Sequence, residues 1–570
     1  MIEERLTTVL REAADEASAV LGDAPPPERI ELTRPPNREF GDFSTNLALV
    51  WASRLGAKPR DVAQAVIDHL PGDPLIEKAE VAGPGFVNLF VRPTWLHDAI
   101  RAAAALGDAY GRAEPNGKRV QVEFVSANPT GPLTIGHARN AAIGDTLARM
   151  FEATGWGVER EYYFNDAGGQ MDRFGASVEA RYLALVGREA EVPDDGYHGD
   201  YVTDIAREIL ENHGPGLAEL EDTERFERMR EYGAGIAMGS IRRTLARFGV
   251  EMDTYLHEAT LSEKGEIDQA IERLRASGDA YDKDDAVWFR STAYGDDKDR
   301  VVIRSNGIHT YFGADCAYLI DKFSRGFDHL VYVWGADHHG DVARVKGAAK
   351  ALGFDPDAAE ILIYQFVSFL RGGVPVKMSK RAGAFVSLDD LIDAVGTDAA
   401  RYHLLMFGPD SAMNFDIDEV ARQTMENPVY YVQYAHARIA SIMRRAAERG
   451  VALGPVDDAR LELLEDESEI ALMRRVAELP GELADATRGR APQRLTRYAE
   501  ELAQLFHRFY GERLPDGTHA RLVVGDDPEL TQARLWLSRV TKQSIAIVLG
   551  LLGVAAPEHM ERTDTTDDDV

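Results

Sequence analysis

The stretch Arg119-Val120-Gln121-Val122-Glu123-Phe124-Val125-Ser126-Ala127-Asn128-Pro129-Thr130-Gly131-Pro132-Leu133-Thr134-Ile135-Gly136-His137-Ala138-Arg139-Asn140 decides the fold. Its first seven residues read as a buried strand. A Pro/Gly-rich loop follows, then helical periodicity from about His137 to Thr154. Strand, glycine-bearing loop and helix open a nucleotide-binding α/β domain, because a helix N-terminus offers free N–H groups and a favourable dipole to phosphate. His137 falls on the first turn, able to donate to phosphate oxygens; a capping histidine on an ordinary turn is the blander alternative.

Outward from this stretch, strand signals return at Val301–Arg304, His329–Trp334 and Ala359–Ile363. The acidic, mostly helical segment from about 165 to 300 reads as an insertion between two halves of one parallel sheet. Before it, residues 1–112 read as a small α+β unit, with a helix over Glu4–Leu21 and a strand over Phe86–Val91. The α/β domain spans 113–410. From 411 to 570 the pattern is helical, with segments Glu419–Ala447, Asp458–Ala484, Gln493–Tyr510 and Leu530–Leu552 forming a bundle.

Composition bounds the function. The 570 residues are 45% apolar and 28% charged, as in ordinary globular chains. No uninterrupted apolar run reaches the roughly 18 residues of a membrane span, and the start has no signal-peptide pattern, so a cytoplasmic protein without a membrane is expected. The single cysteine, Cys316, excludes an intrachain disulfide and a cysteine-based zinc site. The net charge of −31 alone argues against a polyanionic partner. Lysines number only about a dozen, so arginine carries most of the positive charge. Few lysines with abundant Asp and Glu fit a halophile's protein, in which molar salt shortens the screening length to about 3 Å. The acidic end, Thr563 to Val570, reads as a solvated tail.

A second motif, Lys377-Met378-Ser379-Lys380-Arg381, lies between Gly372-Gly373 and Gly383. Two lysines three apart on a glycine-bounded loop can follow the charge that builds on a leaving pyrophosphate. A solvated charge run is the alternative, though it would use two of the few lysines.

Together, Thr134-Ile135-Gly136-His137 and Lys377–Arg381 resemble the two signatures of class I aminoacyl-tRNA synthetases. The resemblance implies a Rossmann-type catalytic domain with an insertion, and ATP with Mg2+ as the nucleotide substrate. It implies catalytic roles for His137, Lys377, Lys380 and Thr134, and ATP contacts from Gly136, His137, Asn140, His338, Met378, Ser379 and Lys380. Thr134 departs from the pattern, standing where the family has its first histidine. No Cys/His cluster suits the zinc-dependent members.

Val122 to Pro129 is similar to the first motif of the arginyl-tRNA synthetase family, which implies that Glu123, Ser126 and Asn128 surround substrate arginine. Tyr311 and Asp315 match that family's Tyr-x-x-x-Asp pair; a guanidinium wants a carboxylate in fork geometry and an aromatic face. The run Tyr332–Gly340 resembles a further family motif. Adjacent residues Asp337, His338 and His339 point apart, so no metal site is expected there. The opening domain, with Asn37 and Phe40, is similar to the family's domain for the tRNA elbow. The helical end resembles its anticodon-binding bundle, in which Tyr430 and Tyr434 could stack bases or simply pack.

The partners implied are arginine and tRNA(Arg), acting on a monomer, with arginine activation waiting for bound tRNA. The rival readings are a class I synthetase for another amino acid, an inactive tRNA-binding relative, and a small-molecule adenylyltransferase.

Overall fold

The computed structural model describes residues 2–22, 24–35, 37–165, 168–376, 387–511 and 527–560. They fall into two compact units. One comprises residues 1–106, 452–477 and 513–540, the other residues 107–451, 478–512 and 541–570.

In the first unit, an amphipathic helix over Ile2–Leu21 buries Leu6, Leu10, Ala13 and Ala17, the i, i+4, i+7 face that its sequence predicts. Strands Leu32–Thr33, Phe43–Thr45, Phe86–Val91 and Ile76–Ala82, in that spatial order, make an antiparallel sheet. The strand expected at Phe86–Val91 has those bounds. Inside the sheet, the Ser44 hydroxyl donates to Asn88 Oδ1 (2.8 Å), satisfying two buried polar groups.

The second unit is built on a five-stranded parallel sheet. Its spatial order is Ala359–Tyr364, His329–Gly335, Arg119–Glu123, Gly157–Phe164, Thr254–His257. The chain leaves the central strand Arg119–Glu123 in one direction and later returns on its other side. The switch point therefore lies at the C-terminal ends of Arg119–Glu123 and His329–Gly335, where doubly wound sheets open a crevice. The helix His137–Ala153 follows the central strand and is buried along almost all its length. Gly144 permits this: a Cβ there would stand 2.2 Å from the Phe124 ring.

Three expectations need correction. The strand at Arg300–Ile303 is not part of the parallel sheet; it pairs antiparallel with Ala286–Phe289 in a separate three-stranded sheet. Conversely Thr254–His257, inside the stretch read as an insertion, is an edge strand of the parallel sheet. Strand-length apolar runs announce a strand but not its partner. The helix expected from Glu419 also breaks: Ile417–Val420 is one turn, and the long helix begins at Pro428. Asn427 caps it, accepting from Val429 N–H (3.3 Å) while its amide donates to the Val420 and Arg422 carbonyls (2.9 and 2.7 Å). Other helices of the C-terminal stretch are Glu467–Arg488, Gln493–Gly511 and Pro528–Leu552. The last is long and apolar enough by composition to cross a membrane, with 61% of that window buried in the fold.

A buried ion pair fixes the second unit. Arg401 donates to Asp145 Oδ2 (2.5 Å), with both side chains at most 1% exposed, and to the carbonyls of Leu552 (2.9 Å) and Phe248 (3.0 Å). It thus ties the helix that bears His137 to the end of the Pro528–Leu552 helix. Removing one member of such a pair strands the other charge. Asp145→Ala should destabilise the protein by about 3–5 kcal/mol, read as a fall in the denaturant midpoint in molar KCl; a loss within about 0.5 kcal/mol, the usual range for surface changes, would contradict this account.

Candidate active site

At the switch point lies a cleft of about 1110 Å³. Its floor begins where the central strand ends. Val125 and Ser126 carry positive φ angles of 67° and 41°, a conformation that costs non-glycine residues energy and that recurs at functional sites. This turn brings the Ser126 hydroxyl to Glu123 Oε1 (3.3 Å) and lets it accept the Tyr163 N–H (3.1 Å). Asn140, from the following helix, accepts the Val125 N–H (2.6 Å) and donates to the Val333 carbonyl (2.8 Å). One amide thereby holds apart the ends of the two strands that flank the opening.

On the cleft's rim, the Thr134 N–H donates to His137 Nδ1 (3.1 Å), with the Thr134 hydroxyl 3.0 Å from the same atom. Nδ1 is thus an acceptor, and the ring keeps its proton on Nε2. Burial pushes the His137 pKa below its ordinary value, and a hydrogen bond accepted by Nδ1 favours the same neutral form. A neutral imidazole that donates from Nε2 is what the geometry offers. Gly136 is the exposed N-cap residue of the helix.

The depth of the cleft is acidic. Asp315, on the helix Tyr311–Ser324, faces Glu258, Glu123 and Asp341, with Arg344 opposing them. Burial, then these like charges, pushes its carboxyl up to about 7. Lys322 lies two turns further along the same helix, wholly buried. Its Nζ donates to Glu123 Oε2 (2.5 Å) and sits over the rings of Tyr332 (3.7 Å) and Tyr318 (4.0 Å). Burial lowers the Lys322 pKa, and Glu123 works against that. Lys322 thus offsets Glu123, and Arg344 offsets Asp341 (2.8 Å), so the four carboxylates face two cations. Tyr311, at the start of the same helix, is 50% exposed and packs over Gly168, whose missing Cβ would stand 2.6 Å from its hydroxyl.

Across the cleft, His338 is 55% exposed and lies between Asp341 Oδ2 (3.3 Å) and Asp337 Oδ2 (3.6 Å), with the Trp334 ring 5.7 Å away. Among the described residues, no group of three His, Cys, Asp or Glu side chains is placed to hold a metal ion.

Of the residues singled out in the sequence, Glu123, Ser126, Asn128, Thr134, His137, Asn140, Tyr311, Asp315 and His338 all line this cleft. Asn128 is exposed and donates to Gln170. Lys377, Met378, Ser379 and Lys380 lie outside the described residues. The residue after that segment's end, Ser387, forms a β-bridge with Thr134, and Leu388 N–H donates to the Leu133 carbonyl (2.9 Å). In the first unit, Phe40 is 52% exposed and Asn37 turns back on Glu39. Tyr430 is only 7% exposed, its ring 6.3 Å from Tyr434 and nearly parallel to it; it packs within its unit rather than presenting a face to bases. Sequence reasoning missed Glu258, Lys322, Tyr163 and Arg344. Lys322 alone left a signal, being seven residues from Asp315 on one helix face and one of few lysines.

The chain is similar to known proteins over nearly its whole length. Its residues 99–441 match the model of the class I (R) tRNA synthetase catalytic domain, 3–91 the arginyl tRNA synthetase N-terminal domain, and 432–560 the DALR anticodon binding domain. It is 45% identical to the arginine–tRNA ligase of Moorella thermoacetica over 98% of both chains. The chain belongs to the arginyl-tRNA synthetase family. The arginine–tRNA ligase of Carboxydothermus hydrogenoformans is 43% identical over 97% of both chains. The fold is shared with the arginyl-tRNA synthetase structures of Thermus thermophilus (TM-score 0.76, 23% identity, 97% of this chain and 100% of that one) and Plasmodium falciparum (TM-score 0.74, 17% identity, 98% and 99%). Family membership accounts for the N-terminal domain, the parallel catalytic sheet and the helical C-terminal domain together.

The acidic depth makes a prediction that needs no reaction. A cation prefers the ionised form of Asp315, so a guanidinium ligand should bind more weakly as pH falls from 8 through about 7 to 6. Calorimetric titration with methylguanidinium at these three pH values checks this; affinity that is flat or rises on acidification would contradict it.

Proposed function

We propose that this arginyl-tRNA synthetase family member selects arginine with the carboxylates of the cleft, activates it with ATP, and transfers it to the 3′ end of tRNA(Arg). One observation carries the reading: Glu123, Glu258 and Asp341 converge on Asp315, beside an exposed tyrosine, with Lys322 set against Glu123 and Arg344 against Asp341. Buried carboxylates at this density are costly without a cation. A guanidinium supplies planar, bidentate donors for Asp315 and a flat face for Tyr311. A neutral amino acid would offer Asp315 no such cation, which disfavours a synthetase for another substrate.

In the first step, an arginine carboxylate oxygen attacks the α-phosphorus of ATP and the bond to the β-phosphate bridging oxygen breaks, releasing pyrophosphate. In the second, the 2′-hydroxyl of the terminal adenosine attacks the activated carbonyl, and AMP leaves. Neither step needs a protein nucleophile; positioning and charge stabilisation suffice. Ser126 and Asn128 hold the arginine end of the cleft. His137 donates from Nε2 to phosphate oxygens, with Thr134 fixing its tautomer. Gly136, Asn140, His338, Met378 and Ser379 shape the ATP side, and Lys377 and Lys380 offset charge on the departing pyrophosphate. Magnesium arrives on the triphosphate, and no protein ligands are assigned to it.

The domain limits 1–112, 113–410 and 411–570 assign the opening domain, with Asn37 and Phe40, to the tRNA elbow and the helical end, with Tyr434, to the anticodon. The enzyme is taken to act as a monomer, as the family resemblance implies, and a tRNA substrate places it in the cytoplasm. The net charge of −31 and the preference for arginine over lysine support a halophilic origin.

Charging assays test this reading. Asp315→Asn should raise the KM for arginine about 10- to 100-fold, the loss of one charge-assisted hydrogen-bonding partner. Lys380→Ala should slow activation about 100-fold with little change in that KM. An unchanged arginine KM in Asp315→Asn would remove the specificity assignment. Salt provides a separate check: charging should rise from 0.1 M to molar KCl, against the usual weakening of nucleic-acid binding by salt. Activity that falls steadily over that range would exclude the halophilic reading.

A further inference from the structure

Arg139 is the residue whose placement the proposed reaction leaves unused. It stands two residues after His137, so the two side chains leave the helix in different directions. Its side chain is wholly buried, and its acceptors are backbone carbonyls: Gln365 (2.8 Å) and Ser411 (2.8 Å) from Nη1, and Gly408 (2.9 Å) from Nη2. Burial lowers its pKa, with the charges of Tyr364 and Asp410 opposing. A buried cation held by three carbonyls is expensive to keep unless its position matters.

Those carbonyls share one task. Gln365 joins the sheet strand Ala359–Tyr364 to the strand Val367–Arg371. Gly408 and Ser411 lie in the turn leading to Met413–Asp416, which pairs parallel with Val367–Arg371. That strand then reverses at Gly372-Gly373, whose N–H groups both donate to Asp416, into Val374–Pro375. Residue 377, the first of the two proposed lysines, follows in the sequence with only Val376 between. On the far side of this segment, the Thr134–Ser387 bridge and the Leu133–Leu388 hydrogen bond tie the chain to the residues just before His137. The base of the small sheet that leads into residues 377–386, and the chain that leaves them, are thus both held by residues within 133–139.

We propose that Arg139 is a positioning residue for amino-acid activation, fixing the distance between His137 and the base of the small sheet from which the lysine-bearing segment departs. This rests on the reading that Lys380 offsets charge on pyrophosphate. Only an arginine fork reaches carbonyls on both the 365 and the 408–411 segments; a lysine ammonium is a single point donor.

The test is a double-mutant cycle on the full-length enzyme, measuring single-turnover adenylate formation and the KM for arginine in molar KCl. Melting temperature and tRNA binding establish that each variant is folded, and Arg139→Gln replaces Arg139→Lys should the latter not fold. Arg139→Lys should slow activation at least about tenfold while leaving the arginine KM within about twofold. In that background Lys380→Ala should cost less than about tenfold, against about 100-fold in the unsubstituted enzyme, because a misplaced lysine has less to lose. A normal rate in Arg139→Lys, a rise in the arginine KM instead of a fall in rate, or losses that simply multiply would each overturn the proposal. Exchange by the unsubstituted enzyme, and the effect of Lys380→Ala alone, report separately on the underlying reading. If Lys380→Ala alone costs nothing, that reading fails, and Arg139 is judged on the rate-against-KM split of its own variant.

Discussion

The bridge made by Asn140 is the constraint on which the cleft depends. Parallel strands want to stay paired, yet a ligand can enter only where two neighbours part. The Asn140 amide supplies, to one strand end through Val125 N–H and to the other through the Val333 carbonyl, the hydrogen bonds those groups give up by parting. It does so while 5% exposed, so water does not substitute for it. The turn through Val125 and Ser126, with its two positive φ angles, is held in place by that bond. The positions of Ser126, Glu123 and His137 all follow from it.

Electrostatics then set what the cleft can hold. Glu123 is paired with Lys322, and Glu161, behind it, accepts from Arg325 (2.6 Å) and from Tyr318. Those carboxylates are satisfied by the fold. Asp315 instead lies among like charges, with Arg344 opposing them, and burial with those charges raises its pKa to about 7, so a cation would favour its ionised form. The same chain carries a net charge of −31, so the acidic cleft is continuous in kind with its surface. What separates the two is burial: surface carboxylates are screened by salt, whereas those around Asp315 are screened far less.

Much of the site was legible because its chemistry is local in sequence. Glu123 to Asn140 spans one strand–loop–helix unit, and Tyr311 and Asp315 share one face of a helix, so each group could be read locally; that the two groups share one cleft was implied by the resemblance to the arginyl-tRNA synthetase family. Glu258 was not legible: it follows an edge strand, Thr254–His257, whose pairing with Gly157–Phe164 is decided by tertiary contacts. Arg344 and Tyr163 likewise gain their meaning only from what they face. In the fold, helices with a clear apolar face were readable to within a few residues, as at Ile2–Leu21. The strand at Arg300–Ile303 was readable as a strand but assigned to the wrong sheet, since periodicity reports burial and not partner. The break before Pro428 shows the opposite failure: the Asn-Pro signal was present, and the surrounding helical pattern masked it.

The central claim is that the cleft is built for arginine and performs its activation. Amino-acid-dependent ATP–pyrophosphate exchange, run in molar KCl over all twenty amino acids with and without total tRNA, addresses it most directly. The account predicts exchange with arginine alone, and only when tRNA is present. Exchange with a different amino acid, or none with arginine at any salt while tRNA still binds, would contradict it.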